Sequence, residues 1–250
     1  MPGKPSKYRA PALDKGLDIL ELLSRAAEPL TMTAVAAAIG YSKGEIFRML
    51  QVLEERGYIT RANDSGYELT NRLFLLGMER PRVKSLVEAA LPAMHRLGRE
   101  IGQPCHLAVA SGDQIVVIAR IDPPGDLGFV VRVGHRLPLS RSTSGAVLFA
   151  FQAEDVREHW LAQMDAAGTL YRRRQFLAQA DAIRAQGHAA LPSNDVDAVT
   201  DLSAPIMRHG AAAGALTIPY VERHPGRSAM KQAVASLKAT VEAISKELTA

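Results

Sequence analysis

Two stretches of this chain place chemically expressive side chains at informative spacings, and neither has the make-up of a catalytic centre. The first is Ser42-Lys43-Gly44-Glu45-Ile46-Phe47-Arg48-Met49-Leu50-Gln51. Ser42 and Glu45 form a capping-box pair, each side chain able to bond the other's backbone N–H, which starts a helix at this point. Ile46, Met49, Leu50 and Leu53 recur at helical spacing and predict a buried stripe. The opposite face carries Lys43, Gly44, Phe47, Arg48 and Gln51. That set suits a DNA major groove: an aromatic ring for a thymine methyl, a glutamine for an adenine edge, cations for phosphate or guanine, and a glycine that lets the duplex come close.

The second stretch is Gly134-His135-Arg136-Leu137-Pro138-Leu139-Ser140-Arg141-Ser142-Thr143-Ser144-Gly145-Ala146. A hydroxyl-rich loop runs straight into a helix whose first turn is small. A helix start offers unpaired N–H groups at a positive dipole end, which is an anion site fit for a carboxylate. The same residues also suit an ordinary N-cap on a closely packed helix, and the sequence leaves both readings open.

The elements around the first stretch predict a DNA-binding fold. A helix is expected over about Ala12 to Arg25, with Leu13, Leu17, Leu20 and Leu23 on one face. A short helix follows from an N-cap at Thr33 to Ile39, then a turn at Gly40 and the Ser42-to-Arg56 helix, which Gly57 ends. Tyr58 to Arg61 and Tyr67 to Thr70 alternate as two strands of a hairpin tipped by Asn63-Asp64-Ser65-Gly66. Helix, turn, helix and wing are the parts of a winged helix-turn-helix, whose second helix enters the major groove. Arg61 and Asn63 on the wing are placed to meet backbone phosphates, contacts that fix register without reading sequence.

A short helical stretch, Arg72 to Gly77, leads to Pro81, where a domain boundary is expected. A long amphipathic helix is predicted from Arg82 to Gly102, bent at Pro92. Strands are then expected at His106 to Ala110, Gln114 to Ile121, Phe129 to Val133, Leu202 to Met207 and Ala213 to Val221. Helices are expected near 144–151, 154–164 and 175–186, and a final one carries Met230, Val234, Leu237, Val241, Ile244 and Leu248. Hairpins with helices gathered on the faces read as an α+β domain with a mainly antiparallel sheet. The chain therefore divides into a flexible basic arm (1–11), a winged helix-turn-helix domain (12–77), a linker helix (78–102) and an effector domain (103–250). Phe129, Val131 and Val133 are expected to wall a pocket there.

At 250 residues, with 47% hydrophobic and 22% charged residues and a net charge of +4, the composition is that of a two-domain protein with ample core. The single cysteine, Cys105, allows no intrachain disulfide and suits a reducing cytoplasm. No window is long and apolar enough to span a bilayer, and the N-terminus lacks an apolar signal region, so no membrane partner is expected. No G-x-S-x-G, P-loop or G-x-G-x-x-G occurs. Cys105 and His106 are adjacent, so on a strand they face opposite ways and cannot act together. The remaining histidines have no metal-ligand spacing, and His106 reads as a pocket or core residue. No enzyme, metal or cofactor is expected. The competing reading is a small-molecule-binding protein or enzyme that uses the helix-turn-helix only for assembly.

Several segments together resemble the IclR family of bacterial transcriptional regulators. They are Ala12-Leu13-Asp14-Lys15-Gly16-Leu17-Asp18-Ile19-Leu20, Phe47-Arg48-Met49-Leu50 through Leu53-Glu54-Glu55-Arg56-Gly57-Tyr58, and Gly66-Tyr67-Glu68-Leu69-Thr70. Leu137-Pro138-Leu139 with Thr143-Ser144-Gly145, Ser203-Ala204-Pro205-Ile206 and Ala215-Leu216-Thr217-Ile218-Pro219 complete the set. The resemblance implies a winged helix joined to a GAF-like effector domain, acting as a homodimer or dimer of dimers on a palindromic double-stranded operator. It implies a small-molecule effector, often a carboxylate or aromatic acid, and most simply a repressor of a catabolic operon. The ligand would touch Ser144, Gly145, Ala146 and Thr217, and the segment Asn194-Asp195-Val196-Asp197-Ala198-Val199-Thr200-Asp201. Many relatives carry a Glu-Glu pair and a cysteine in that segment, where this chain has Ser193-Asn194 and Asp201. The ligand-binding set expected from residues and resemblance together is His106, Phe129, Val131, Leu137, Thr143, Ser144, Gly145, Ala146, Asp201 and Thr217.

Overall fold

The computed structural model describes residues 10–62, 66–78, 81–122, 131–170, 172–222 and 227–249. Two compact units divide between Val83 and Lys84. The basic arm up to Arg9 lies outside the described residues.

In the first unit, α1 (Pro11–Leu23) opens with proline, α2 (Met32–Ile39) follows strand β1 (Leu30–Thr31), and α3 (Lys43–Glu55) follows the turn at Gly40. Gly40 has φ +74°, a left-handed value that glycine adopts without a Cβ clash. Strands β2 (Ile59–Ala62) and β3 (Gly66–Leu69) complete a three-stranded antiparallel sheet in the order β1-β3-β2, and α4 (Arg72–Met78) follows. Ile19, Leu23, Val35, Ala36, Ile46, Leu50, Ile59 and Tyr67 form one buried cluster. This is the winged helix-turn-helix, with three corrections. The N-cap of α2 is Thr31 rather than Thr33, because the Thr31 side chain accepts from the Ala34 N–H. Leu30 and Thr31 form a third strand, pinned to Tyr67 and Gly66, that was too short to show in the sequence. Leu13 and Leu17 are 61% and 48% exposed, since the buried line of α1 passes through Ile19 and Leu23.

The second unit is built on a six-stranded antiparallel sheet in the order β6-β5-β4-β9-β8-β7. The strands are β4 (Cys105–Ser111), β5 (Gln114–Ile121), β6 (Arg136–Pro138), β7 (Ala189–Pro192), β8 (Val199–Arg208) and β9 (Ala211–Val221). Before the sheet runs α5 (Pro81–Ile101), which continues through Pro92. From Leu86 onward most of its apolar residues (Leu86, Val87, Ala90, Met94 and Leu97 among them) are buried, so most of the expected linker packs with the second unit. Helices α6 (Thr143–Ala150), α7 (Glu154–Ala166), α8 (Arg173–Gln186) and α9 (Arg227–Glu247) complete it. Residues 214–220 of β9 are buried without a break, the mark of a strand covered on both faces. Helix α6 packs against β8 and β9, and α9 against the same two strands. Helix α6 is buried along its whole length.

Of the strand expected at Phe129 to Val133, Phe129 and Val130 lie outside the described residues, and 131–133 form no strand. The chain reverses at Gly134 (φ +84°), whose N–H donates to Val117 O at 2.8 Å, and Arg136–Pro138 takes the place beside β5 instead. Val133, expected in the pocket wall, is 55% exposed. The sequence also missed β7, whose four residues carry no clear alternation.

Candidate functional sites: a recognition face and an effector cavity

The start of α3 is held as its residue types dictate. Glu45 N–H donates to Ser42 Oγ (3.4 Å) while Ser42 N–H donates to Glu45 Oε2 (3.0 Å), the reciprocal capping box. Lys15 Nζ on α1 donates to Glu45 Oε1 at 2.8 Å and lies 4.9 Å from the Tyr41 ring centroid. That ammonium, with the Ser42 backbone, holds the Glu45 carboxyl down at a pKa of about 2. Ser42→Ala should therefore cost about 1 kcal/mol of stability, read as a lowered midpoint in denaturant; an unchanged midpoint would show that the Lys15–Glu45 pair alone fixes the helix start.

The outward face of α3 presents the expected residues. Lys43, Gly44, Arg48 and Gln51 are exposed, and Phe47 keeps 43% of its surface in solvent. A Cβ added at Gly44 would meet nothing within 4 Å. Lys43 and Arg48 pair with no carboxylate among the described residues, whereas Lys15, Arg25 and Arg61 do. Arg61 is less available than the sequence suggested. Its Nε lies 3.1 Å from Glu54 Oε1 and its guanidinium 5.4 Å from the Tyr67 ring centroid, so a phosphate would have to share or break that pairing. Asn63 lies outside the described residues.

In the second unit, a cavity of about 280 Å³ is lined by seven of the ten expected ligand residues: His106, Val131, Leu137, Thr143, Ser144, Asp201 and Thr217. Strand pairing brings them together. His106 sits opposite Thr217 across β4 and β9, and Ser203 opposite Thr217 across β8 and β9. Thr217 Oγ1 is 2.9 Å from Ser144 Oγ and 2.8 Å from Ser203 Oγ, which ties the start of α6 to the sheet through three buried hydroxyls. Thr143 Oγ1 donates to Asp201 Oδ2 at 3.2 Å. Burial pushes the Asp201 carboxyl above its ordinary pKa, the Thr143 hydroxyl pulls against this, and Asp195 adds to the rise. Burial, with His135 nearby, holds the His106 imidazole down at about 4, so it is neutral at pH 7.

Three of the ten fall elsewhere. Phe129 is outside the described residues. Ala146 lines a neighbouring cavity of about 570 Å³ with Leu170, Phe176 and Leu191. Gly145 lines neither cavity. Its N–H is taken by Ser142 Oγ (3.0 Å), and a Cβ on it would fall 2.3 Å from Leu139 O and 2.6 Å from Leu139 Cα. Its glycine character serves close packing on the 139–141 turn, not ligand approach.

The sequence missed Arg132 as a cavity residue, and had singled out Arg141 and His135 only as part of the loop. Arg132 stood inside a segment read as a strand, which hid it. Neither the Arg132 nor the Arg141 guanidinium pairs with a carboxylate among the described residues. Thr143 and Ser144 begin α6, and no described residue accepts from their backbone N–H groups. Arg132, Arg141 and the start of α6 thus line the cavity together with the carboxylates of Asp195 and Asp201, so both N–H donors suited to an anion and two acidic groups border it. Cys105, facing away from His106 as expected, places its thiol 3.7 Å from Met94 O, and burial pushes it up to about 12. Among the described residues no His, Cys, Asp and Glu stand together as a metal site, and no helix is long and apolar enough to cross a membrane.

A winged helix with an exposed, cation-bearing recognition helix, followed by an α+β unit enclosing a polar cavity, defines a ligand-responsive DNA-binding regulator. Residues 12–62 match the IclR helix-turn-helix domain and residues 82–246 match the bacterial transcriptional regulator IclR C-terminal domain. The chain belongs to the IclR family of transcriptional regulators. It is 27% identical over 212 residues to the HTH-type transcriptional regulator KdgR of Dickeya chrysanthemi, covering 82% of this chain and 69% of that protein. It is 25% identical over 246 residues to the DNA-binding transcriptional repressor YiaJ of Escherichia coli, covering 95% and 87%. In fold it is similar to an IclR homolog from Microbacterium hydrocarbonoxydans complexed with 4-hydroxybenzoate (TM-score 0.75, 21% identity, 95% and 98% covered).

Proposed function

We propose that the chain is the repressor of a catabolic operon, dimeric or a dimer of dimers on a palindromic operator, and that a small carboxylate or aromatic acid in the 280 Å³ cavity controls its hold on DNA. The observation that carries the DNA half is the pair of unpaired cations, Lys43 and Arg48, flanking exposed Phe47 on a helix whose start is locked by Ser42, Glu45 and Lys15. Cations held off carboxylates on a face with an aromatic and a glutamine are what a duplex would neutralise. Ser42, Lys43, Gly44, Phe47, Arg48 and Gln51 meet the groove in this reading, with Arg61 and Asn63 at the backbone.

The ligand half rests on Arg132, Arg141 and the free N–H groups of Thr143 and Ser144, which together would hold a carboxylate. Val131, Leu137, Ile115 and Val117 supply apolar wall for a ring or short chain. The relatives that carry the names of a repressor and of a 4-hydroxybenzoate complex support the sign of regulation and the ligand size. An effector acts only by binding one arrangement of the protein more tightly than another, so its affinity must differ between free and DNA-bound protein.

Fluorescence anisotropy tests the reading, with duplex from upstream of the chain's own gene against scrambled duplex at equal salt. Selective binding is expected, weakened when the releasing acid is added. Equal, weak binding to both would reject that duplex as operator. Arg48→Ala should weaken binding to both duplexes and lower the dependence of log affinity on log salt by about one phosphate contact. An unchanged salt slope would remove Arg48 from the interface.

A further inference from the structure

The polar groups around the effector cavity are unevenly satisfied. Ser203, Thr217 and Ser144 bond one another in a row, so their hydroxyls already have partners within the protein. Asp201 receives the Thr143 hydroxyl. His106, directly opposite Thr217 in the sheet, is different. It is 6% exposed, lines the cavity, and its Nδ1 is buried with no hydrogen-bond partner among the described residues. A buried polar group left unpaired is costly, and native proteins rarely keep one without use. In the tautomer with its proton on Nε2, the His106 Nδ1 is an acceptor, which a hydroxyl or N–H donor would satisfy. A neutral imidazole carries one donor and one acceptor nitrogen, and a half-turn of the ring exchanges the edge presented to the cavity.

We infer that the cavity is specific for an acid that also carries a hydroxyl or N–H donor, and that His106 is the specificity-determining residue that accepts from it. This rests on the reading of the cavity as the effector site. The carboxylate goes to Arg132, Arg141 and the start of α6, and the second polar group meets the imidazole at the sheet. A bare acid of the same size fills the space but leaves His106 unpaired, and a site built to pair a buried polar group rejects the analogue that cannot pair with it. Recognition of this kind leaves the imidazole neutral, so the hydroxyl acts as donor and no proton need be taken up.

The test is calorimetric titration of the full chain at pH 7 with two matched series: benzoate and its 2-, 3- and 4-hydroxy isomers, and propionate with its 2- and 3-hydroxy derivatives. At least one hydroxy acid should bind about tenfold more tightly than its parent acid, the worth of one hydrogen bond to a buried partner. His106→Leu, which removes the unpaired group at similar volume, should fold with unreduced thermal stability and bring that ratio to near one. His106→Gln, which keeps an acceptor, should restore part of it. A preference that survives His106→Leu but disappears in Asp201→Asn gives the role to Asp201 and overturns the assignment. Acids that bind the wild-type protein without regard to the hydroxyl overturn the inference while leaving the cavity as effector site. Failure of every acid in both series to bind overturns the inference and the effector-site reading together.

Discussion

Gly145→Ala, a single added methyl group, is expected to destabilise the second unit by about 3 kcal/mol or more, toward the upper end for overpacked cores. The reason is geometric. The new Cβ would fall 2.3 Å from Leu139 O and 2.6 Å from Leu139 Cα, and both obstacles are backbone. Leu139 cannot retreat cheaply. It is fully buried, its N–H donates to Asp113 O at 2.8 Å, and Ser140 beside it donates to Thr169 O. On the other side, α6 is buried along its length against β8 and β9. The Ser142 cap on the Gly145 N–H would shift with any movement, since Ser142 Oγ is itself only 2.6 Å from the added atom. Urea unfolding of Gly145→Ala against wild type measures the loss, and a loss below about 0.5 kcal/mol would mean that the 139–141 turn yields freely. A bulky substitution here reports on folding and says nothing about where the effector binds.

Acid should weaken the second unit through His106, in a window fixed by its displaced ionisation. The imidazole titrates at about 4 in the fold against 6.5 when free, first because burial strips its solvation and second because of His135. Below pH 6.5 the unfolded chain gains a proton that the folded imidazole refuses, so stability falls as pH drops from 6.5 to about 4 and is flat above 6.5. The full loss is on the order of 3 kcal/mol, taking 1.4 kcal/mol for each unit of displacement. Asp201 works in the opposite sense. Its raised pKa makes the folded state take up a proton earlier than the unfolded one, which offsets part of the loss near the bottom of the window. Glu45, in the other unit, is held at about 2, so its contribution is lost only between pH 4.5 and 2. Unfolding free energies of wild type and His106→Gln at pH 7.5, 6.5, 5.5 and 4.5 separate these effects. The wild type should lose more stability than the variant between 6.5 and 4.5; parallel curves would mean that His106 is readily protonated in the fold.

Local patterns with a fixed period were legible in the sequence. The capping box at Ser42 and Glu45, the Ile46–Leu50 stripe and the turn at Gly40 depend on residues a few positions apart, and they set α3 and its outward face together. The antiparallel hairpin of β8 and β9, joined through His209 and Gly210 at positive φ, was visible for the same reason. Of the seven cavity residues, Thr143 and Ser144 stand in the hydroxyl-rich helix start that the local sequence displays, Thr217 and Asp201 were expected from the family resemblance, and Val131 reaches the cavity although the strand expected around it did not form.

What the tertiary structure decided depends on contacts between distant segments, which no local period records. Leu30–Thr31 becomes a strand only because Tyr67 and Gly66 lie beside it. Residues 131–133 look like a strand but lose that place to Arg136–Pro138, because the backbone of Gly134 and His135 bonds Val117. Arg61 looks like a free wing cation until Glu54, on α3, is found beside it. Gly145 shows the difference most sharply. The sequence established that a small residue stands at a helix start, but small residues serve ligand approach and tight packing equally well. Only the position of the Leu139 backbone against its missing Cβ decides between the two.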